Sequence, residues 1–195
     1  MTQVLRLIRP STAIDVGCGS GGWLVRMQKA GVSVLGVDFC EEMLTQAMLH
    51  SSLRGRLVLG DAESLPFCAE AADLVLCSMV LGYLRNLPKV FREFTRVATP
   101  GAYIAVTDLH PAAISAGWTR SFRSGLTVYE IDHHSYSLDE IEDAACGAGL
   151  RNSLRQTVYL GQPEFEIFQR KGRAELLAEV SQTPALFLQT WRKPC

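Results

Sequence analysis

The chain has 195 residues, of which 48% are hydrophobic and 20% are charged, and its formal net charge is −1. This size and composition predict one globular domain, and the charge excludes a global positive field that would hold nucleic acid or an anionic membrane. No stretch approaches the length of a membrane-spanning helix, and the N-terminal MTQVLRLIRP has no signal-peptide core. The six cysteines lack metal-like spacing, so we expect reduced thiols, no metal site and a cytoplasmic location.

Short apolar runs alternate with helical patterns along the first 110 residues. The predicted strands are TAIDV, VSVLGVD, RLVLGDA, DLVLCSMV and AYIAVTDL. Helices are predicted after the first glycine turn as far as Gly31, over CEEMLTQAML, and over LPKVFREFTRVA as far as Pro100-Gly101. This alternation predicts an α/β fold with a parallel sheet and helices on its faces.

The pattern loosens beyond residue 110. A hairpin is predicted in WTRSFRSGLTVYEI, followed by the helix LDEIEDAACGAGL, which Ser137 and Glu140 would begin as a capping box and Gly149 would end. NSLRQTVYL and ALFLQTW are the predicted last strands, as antiparallel partners, with a short helix around AELLAEV between them.

The first predicted turn reads IDVGCGSGG, and its glycine spacing fits two ligands. Gly17, Gly19 and Gly22 satisfy the G-x-G-x-x-G of a dinucleotide turn. Gly17, Gly19 and Gly21 satisfy the G-x-G-x-G that holds S-adenosylmethionine. Asp15 favours the second ligand, because a carboxylate beside the turn would repel a pyrophosphate but attract an ammonium and a sulfonium.

Acidic residues also end the next two predicted strands. Asp38 ends VLGVD, where its oxygens can accept hydrogen bonds from the ribose hydroxyls of NAD or of S-adenosylmethionine. Asp61 in GDAESLPF follows the third strand, where a carboxylate can accept from an adenine amino group. Three acids at successive strand ends predict a nucleoside site without a phosphate clamp.

A resemblance to the class I S-adenosylmethionine-dependent methyltransferases is carried by DVGCGSG, VDFCEEML, GDAESLPF, ADLVLCSMVLGYL and LPKVFREFTRVATPGAYIAVTD. These segments are most similar to the methyltransferase domain 11 type, which includes the ubiquinone and menaquinone C-methyltransferases, and they span roughly residues 12–110. The resemblance implies a Rossmann-like, doubly wound sheet of seven strands, mostly parallel with an antiparallel last strand, and S-adenosyl-L-methionine as cofactor.

The resemblance also implies which residues bind that cofactor. It sets the methionine part against the glycine turn and the end of the fourth strand, the ribose against Asp38, and the adenine against Asp61 and Ala62. The full predicted cofactor set is Asp15, Gly17, Cys18, Gly19, Asp38, Phe39, Met43, Asp61, Ala62, Glu63, Ser78, Met79 and Tyr83.

The chain departs from the family pattern at its N-terminus. Relatives usually carry helices ahead of the first strand that fold over the cofactor, whereas about ten residues precede TAIDV here. We therefore expect residues 111–136 to cover the site, alone or with a second chain. The apolar side chains available for this are Trp118, Phe122, Leu126 and Val128.

Methyl transfer is an in-line displacement, so it needs a base only where the acceptor carries a proton. Asp108 and His110 follow the fifth predicted strand, and His133 and His134 lie in the irregular EIDHHSYS. The three histidines are the catalytic candidates because histidine has a pKa suited to a general base. Each of them can equally be a structural or solvent-facing residue.

Arg120 and Arg123 in WTRSFRSG are candidates for binding a carboxylate or phosphate of the substrate, or else they lie on a hairpin surface. We interpret residues 1–195 as a single methyltransferase domain with a substrate and lid insert near 111–136. It would O- or C-methylate a small molecule, without nucleic acid or membrane partners, and a homodimer stays open. The alternatives are a non-catalytic methyltransferase-like subunit and, less favoured by Asp15, a nicotinamide-dependent oxidoreductase.

Overall fold

The computed structural model describes residues 2–170, 172, 175–176 and 180–195. The helices are α1 (Thr2–Ile8), α2 (Gly22–Lys29), α3 (Glu41–Ala47), α4 (Leu87–Val97), α5 (Pro111–Ser115), α6 (Leu138–Gly147) and α7 (Gln162–Arg170). The strands are β1 (Thr12–Val16), β2 (Ser33–Asp38), β3 (Leu57–Leu59), β4 (Ala72–Ser78), β5 (Ala98–Leu109), β6 (Arg120–Ser124), β7 (Thr127–Ile131), β8 (Arg151–Tyr159) and β9 (Pro184–Arg192).

Seven of the strands form one sheet in the order β3-β2-β1-β4-β5-β9-β8. Neighbouring strands from β3 to β5 are parallel, and β9 is antiparallel to both β5 and β8. The predicted seven-stranded, mostly parallel sheet with an antiparallel last strand is confirmed. The strand order reverses direction between β1 and β4, and in open α/β sheets ligands bind beyond the carboxyl ends of the strands at such a point.

Both faces of the sheet are covered by helices, as the residues of β4 show. Leu74 and Leu76 pack into a cluster with α2, whereas Val75 and Cys77 pack into a cluster with α4 and α6 on the opposite face. Side chains alternate between the two faces of a strand, so the unbroken apolar run at residues 74–77 must be buried on both faces. The doubly wound arrangement follows from this pattern.

Two helices begin at the residues that their sequences predict. The side chain of Asn86 accepts a hydrogen bond from the Lys89 amide at the start of α4. Ser137 and Glu140 form the predicted capping box of α6, and Gly149 follows that helix with a φ of +83°. A side-chain cap satisfies amide groups that have no partner within the helix.

Strand β5 begins earlier than AYIAVTDL predicts. Ala98 already pairs with Ala72 of β4, and the register then shifts so that Leu74 pairs with Tyr103. The residues between these pairs bulge, because Pro100 has no amide to donate and Gly101 takes a φ of +79°.

The hairpin predicted after residue 117 is confirmed as β6 and β7, which pair antiparallel. NSLRQTVYL and ALFLQTW form β8 and β9, also as the predicted antiparallel pair. The helix predicted around AELLAEV lies largely outside the described residues. No helix in the described part of the chain combines the length and apolarity that crossing a membrane requires.

Candidate functional site

A pocket of about 1200 Å³ opens at the carboxyl ends of β1, β2 and β4. Its walls come from the glycine turn after β1, the start of α3, and the segments that follow β3 and β4, and Ile131 reaches it from the end of β7. Every residue of the predicted cofactor set lines this pocket. These residues meet because the carboxyl ends of parallel strands share one edge of the sheet.

The glycine turn has a backbone that other residues rarely adopt. Gly17, Gly19 and Gly21 have φ angles of +71°, +53° and +82°. The amides of Gly17 and Cys18 both donate to the carbonyl of Val37, at 2.8 and 3.0 Å, and so hold the turn against the end of β2. The glycines are therefore required by the backbone path, whatever ligand the turn binds.

Asp15 is a buried carboxyl group beneath this turn, with only 2% of its surface exposed. Burial, and secondarily the charge of Asp38, raises the pKa of Asp15 from 3.8 to about 8. The group is therefore largely protonated at neutral pH in the ligand-free protein. A cation placed beside it would favour the ionised form.

Asp38 uses its carboxylate to hold two loops. One oxygen accepts from the amide of Gly19 at 2.7 Å, and the other accepts from the amide of Cys40 at 2.9 Å. Each carboxylate oxygen has a further lone pair. Asp38 can therefore fix the turn and still accept hydrogen bonds from a ligand in the pocket.

Cys18 lies between two glycines of the turn, yet it is not suited to act as a nucleophile. Its side chain is buried, and burial raises the pKa of its thiol to about 12, with the charges of Asp15 and Asp38 adding to the rise. The reactive species of cysteine is the thiolate. Cys18 thus fills space beneath the turn as a protonated thiol.

The loop after β3 is organised by Asp61. Its side chain accepts from the amide of Glu63 at 2.8 Å, and its backbone pairs with Ser64 in an isolated bridge. Asp61 itself is exposed at the pocket edge, while Ala62 beside it is buried. The loop therefore presents a carboxylate at the third strand end, where the sequence predicts the adenine.

The segment after β4 faces the glycine turn across the pocket. Ser78 shares a hydrogen bond of 2.9 Å with the Thr107 hydroxyl, and the amide of Met79 donates to the Thr107 carbonyl at 2.7 Å. Met79 has a φ of +63°, a conformation that is strained for a residue with a side chain. Val80 packs so closely against Gly17 that a Cβ added there would overlap it.

The two arginines of the insert occupy different environments. Arg120 is buried, its Nη2 pairs with Asp108, and its Nη1 donates to the carbonyl of Met79 at 2.8 Å. Its guanidinium also lies 4.6 Å from the centroid of the Tyr83 ring. Arg123 is exposed on β6, and neither arginine lines the pocket. The Arg120 guanidinium is therefore engaged within the protein, while that of Arg123 faces solvent.

None of the three candidate histidines is among the pocket-lining residues. His110 accepts from the amide of Ala112 through Nδ1 as the cap of α5, and burial lowers its pKa. The Nδ1 of His133 lies 3.2 Å from the carbonyl oxygen of Ile131, and the buried Nε2 of the same ring has no partner in the described residues. His134 stands beside a tyrosine ring rather than the pocket.

Asp108, the other group after β5, is a buried carboxylate that accepts from the amides of Gly82 and Leu109 as well as from Arg120. Burial raises its pKa, and the attraction of Arg120 opposes that rise. With its oxygens occupied by three donors, Asp108 is placed to hold structure rather than to accept a proton from a substrate.

Several pocket residues were not predicted from the sequence. Trp23 and Arg26 line it from the first turns of α2, with the guanidinium 5.0 Å above the indole ring. Leu84 and Arg85 line it after β4. The signal in the sequence that could have identified Trp23 was its place directly after the glycine turn. Within the described residues, no group of three or more His, Cys, Asp or Glu side chains could hold a metal ion.

Comparison with known proteins agrees with this geometry. Residues 14–106 match the methyltransferase domain family. This segment, just under half of the chain, is similar to methyltransferase domains. The matched residues run from β1 to β5 and include the glycine turn and the acidic strand ends, and the cofactor of the family is S-adenosyl-L-methionine.

Two curated relatives and one solved structure illustrate this similarity. A malonyl-[acyl-carrier protein] O-methyltransferase of Erwinia pyrifoliae is 30% identical over 128 residues, covering 63% of this chain and 48% of that protein. A demethylmenaquinone methyltransferase of Listeria monocytogenes serotype 4a is 33% identical over 136 residues, covering 63% and 54%. The chain spans about half the length of these relatives.

The solved structure of an S-adenosylmethionine-dependent methyltransferase from Mesorhizobium loti superimposes with a TM-score of 0.72. The alignment covers 98% of this chain and 96% of that one, at 20% sequence identity. At this identity the likeness establishes the fold. It extends the match beyond the family segment into the strands β8 and β9.

Proposed function

We propose that this protein transfers a methyl group from S-adenosylmethionine to a small-molecule acceptor. The observation that carries the proposal is the placement of Asp15, Asp38 and Asp61 around one pocket, at three successive strand ends. Together they offer carboxylates to an ammonium, a ribose diol and an adenine amino group.

The remaining polar and apolar groups of the pocket suit the same ligand. Asp38 has acceptor capacity left after holding the amides of Gly19 and Cys40. Phe39 and Met43 line the pocket as exposed apolar side chains beside it, which favours contact with a nucleoside ring. S-adenosylmethionine supplies an electrophilic methyl group when bound. The residues of this chain bind it, orient it and exclude water.

A dinucleotide fits the pocket less well. Its pyrophosphate would lie on the glycine turn, directly above the buried Asp15. Ionisation of Asp15 would oppose that negative charge, and its neutral form would offer only one donor. The same carboxyl favours an ammonium, which argues for a methyltransferase over a nicotinamide-dependent oxidoreductase.

The acceptor class follows less directly from the residues, and we propose O- or C-methylation. The relatives named above act on a malonyl group attached to a carrier protein and on demethylmenaquinone, as their names state. An acceptor that is already a carboxylate needs no base, whereas a hydroxyl or an acidic carbon does. His110, His133 and His134 stay the candidates for that base, and each would have to turn toward the pocket when the insert closes.

We further propose that residues 1–195 act as one methyltransferase domain with 111–136 as its lid. Strands β1 to β5 share a single sheet with β8 and β9, which supports a single folding unit. The exposed apolar side chains of the hairpin support either a lid surface or contact with a second copy.

Calorimetry with S-adenosylhomocysteine and with NAD tests the ligand class. We expect 1:1 binding of S-adenosylhomocysteine and none of NAD, and the opposite result would contradict the proposal. Turnover is then measured as S-adenosylhomocysteine release on a panel that includes malonyl thioesters and demethylated quinones. The Asp38→Ala variant serves as a control for contaminating activity. Binding without turnover of any acceptor would favour a non-catalytic subunit.

A further inference from the structure

Arg120 and its partner Asp108 together make three contacts with the segment after β4. The Nη1 of Arg120 donates to the carbonyl of Met79 at 2.8 Å, and its guanidinium stacks 4.6 Å from the ring centroid of Tyr83. Its Nη2 pairs with Asp108, whose other oxygen accepts from the amide of Gly82 at 3.2 Å. The buried pair thus contacts segment 79–83 at Met79, Gly82 and Tyr83.

Segment 79–83 forms one wall of the pocket. Met79, Val80 and Tyr83 line it, and Val80 lies against the bare Cα of Gly17 in the turn opposite. The left-handed φ of Met79 is strained and persists only where neighbouring contacts enforce it. The bond from Arg120 to the Met79 carbonyl is such a contact.

The insert approaches the same segment through its backbone. The amide of His134 donates to the carbonyl of Gly82 at 2.7 Å. A Cβ added at Gly82 would lie 3.2 Å from Nη2 of Arg120 and 3.3 Å from Cβ of His133. Gly82 is therefore enclosed between the insert and the strand ends, so the insert contacts this wall directly.

Stability alone does not account for this arrangement. A buried ion pair pays a desolvation penalty that often matches its Coulombic gain, so apolar pairs of similar size stabilise equally well. The Nε of Arg120 is also buried without an acceptor among the described residues, which adds to the cost. The fork geometry of arginine is what allows one side chain to reach a carboxylate, a carbonyl and an aromatic face together.

We infer that Arg120, paired with Asp108, is a positioning residue that holds segment 79–83 as the pocket wall opposite the glycine turn and thereby couples the insert to the cofactor site. This inference rests on the proposed function, because the wall it holds is that of the proposed S-adenosylmethionine pocket. Arg120 acts through Met79 and Tyr83 and contacts no cofactor itself.

Two substitutions separate positioning from a purely structural role. Arg120→Lys keeps a positive charge near Asp108 but cannot bind the Met79 carbonyl and stack on Tyr83 at once. Arg120→Met with Asp108→Leu replaces the pair by apolar side chains and keeps the interior filled. Arg54→Lys, at an exposed arginine that does not line the pocket, is the matched control.

We expect both changes at Arg120 to leave the melting temperature near that of the wild type and to weaken S-adenosylhomocysteine binding about tenfold, because segment 79–83 is no longer held as a pocket wall and must be ordered when the ligand binds. In the ligand-free variants, amide hydrogen exchange over residues 79–84 should accelerate while exchange in α4 stays unchanged. Arg54→Lys should alter neither quantity.

The inference is overturned if a folded variant binds S-adenosylhomocysteine within twofold of the wild type, or if exchange over 79–84 is unaltered. If Arg120→Lys does not fold, the apolar double substitution supplies the same two readouts. A double variant that is also unfolded would assign the pair a structural role and contradict the inference. Absence of S-adenosylhomocysteine binding to the wild type would refute the proposed function instead, and the exchange data would still report whether Arg120 holds the wall.

Discussion

The carboxylate of Asp38 at the end of β2 accepts a 2.7 Å hydrogen bond from the backbone amide of Gly19 in the glycine turn. The same side chain holds the amide of Cys40 at the start of α3. One acidic residue therefore sets the spacing between two walls of the pocket. Its oxygens keep further lone pairs, and Asp38 lines the pocket.

Replacing Asp38 by alanine should weaken S-adenosylhomocysteine binding by about 1 to 3 kcal/mol, because hydrogen bonds to a charged group are lost and the turn loses its support. Calorimetry measures the change. Glu166→Ala removes an exposed carboxylate that pairs with Arg170 outside the pocket, and it should leave the affinity unaltered. Wild-type affinity in a folded Asp38→Ala protein would eliminate the ribose contact.

Ligand binding should depend on pH through Asp15. Because its pKa is raised to about 8, the free protein holds a proton on this carboxyl at neutral pH. An ammonium beside Asp15 would lower that pKa, so S-adenosylhomocysteine should bind with proton release and with affinity rising from about pH 6 to about pH 8. Calorimetry in two buffers of different ionisation enthalpy counts the protons. Asp15→Asn should abolish the release, and an equal release in that variant would disprove the assignment.

The same group should affect the stability of the ligand-free protein. The pKa of Asp15 is higher in the folded state than the ordinary value of 3.8, so the folded state binds more protons between about pH 4 and about pH 8. The free energy of unfolding contributed by this residue therefore falls as the pH rises through that window. Denaturant unfolding of the wild type and of Asp15→Asn at several pH values measures the difference, which should grow toward alkaline pH. A difference that does not vary with pH would contradict the raised pKa.

Gly17→Ala should impair both folding and binding. The substitution forces alanine into a φ of +71° and brings its Cβ onto Val80, so we expect a loss of about 1 to 3 kcal/mol in stability and a distorted pocket wall. Gly31→Ala is the matched control, since Gly31 has a φ of +86° but open space around it.

Thermal unfolding and S-adenosylhomocysteine affinity together distinguish the effect of backbone strain at the glycine from the effect of steric overlap with Val80. Gly31→Ala should lower stability and leave affinity unchanged, whereas Gly17→Ala should lower both. Adding Val80→Ala to Gly17→Ala should restore part of the affinity by relieving the overlap. Identical behaviour of the two single variants would show that the contact with Val80 has no role.

Residues 111–136 should become less mobile when ligand binds. Ile131 lines the pocket, and Arg120, its partner across the hairpin, forms an ion pair with Asp108. Phe122 and Leu126 of the same hairpin are exposed. Hydrogen exchange with and without S-adenosylhomocysteine should show protection over this range, with α4 as an internal reference. Equal exchange in both states would contradict a ligand-gated lid. A monomer mass that does not vary with concentration would exclude a second chain as the cover.

The sequence by itself determined the sheet and the acidic edge of the pocket. Alternating apolar runs and helical patterns are local, and once the strands are parallel their carboxyl ends must share one edge. Asp15, Asp38 and Asp61 could therefore be placed together from their positions alone. The capping box at Ser137 and the hairpin at residues 120–131 were equally local features.

The tertiary structure decided the roles of residues whose partners lie far away in the chain. From its sequence position alone, Arg120 is compatible with either a solvent-exposed cation or a substrate-binding group. In the structure, β6 places its guanidinium against Asp108 and the Met79 carbonyl. The directions of His110 and His133 depended likewise on how the insert packs. A strand end is set by nearby residues, whereas the partner of a long polar side chain is set by contacts between distant segments, which spacing along the chain does not encode.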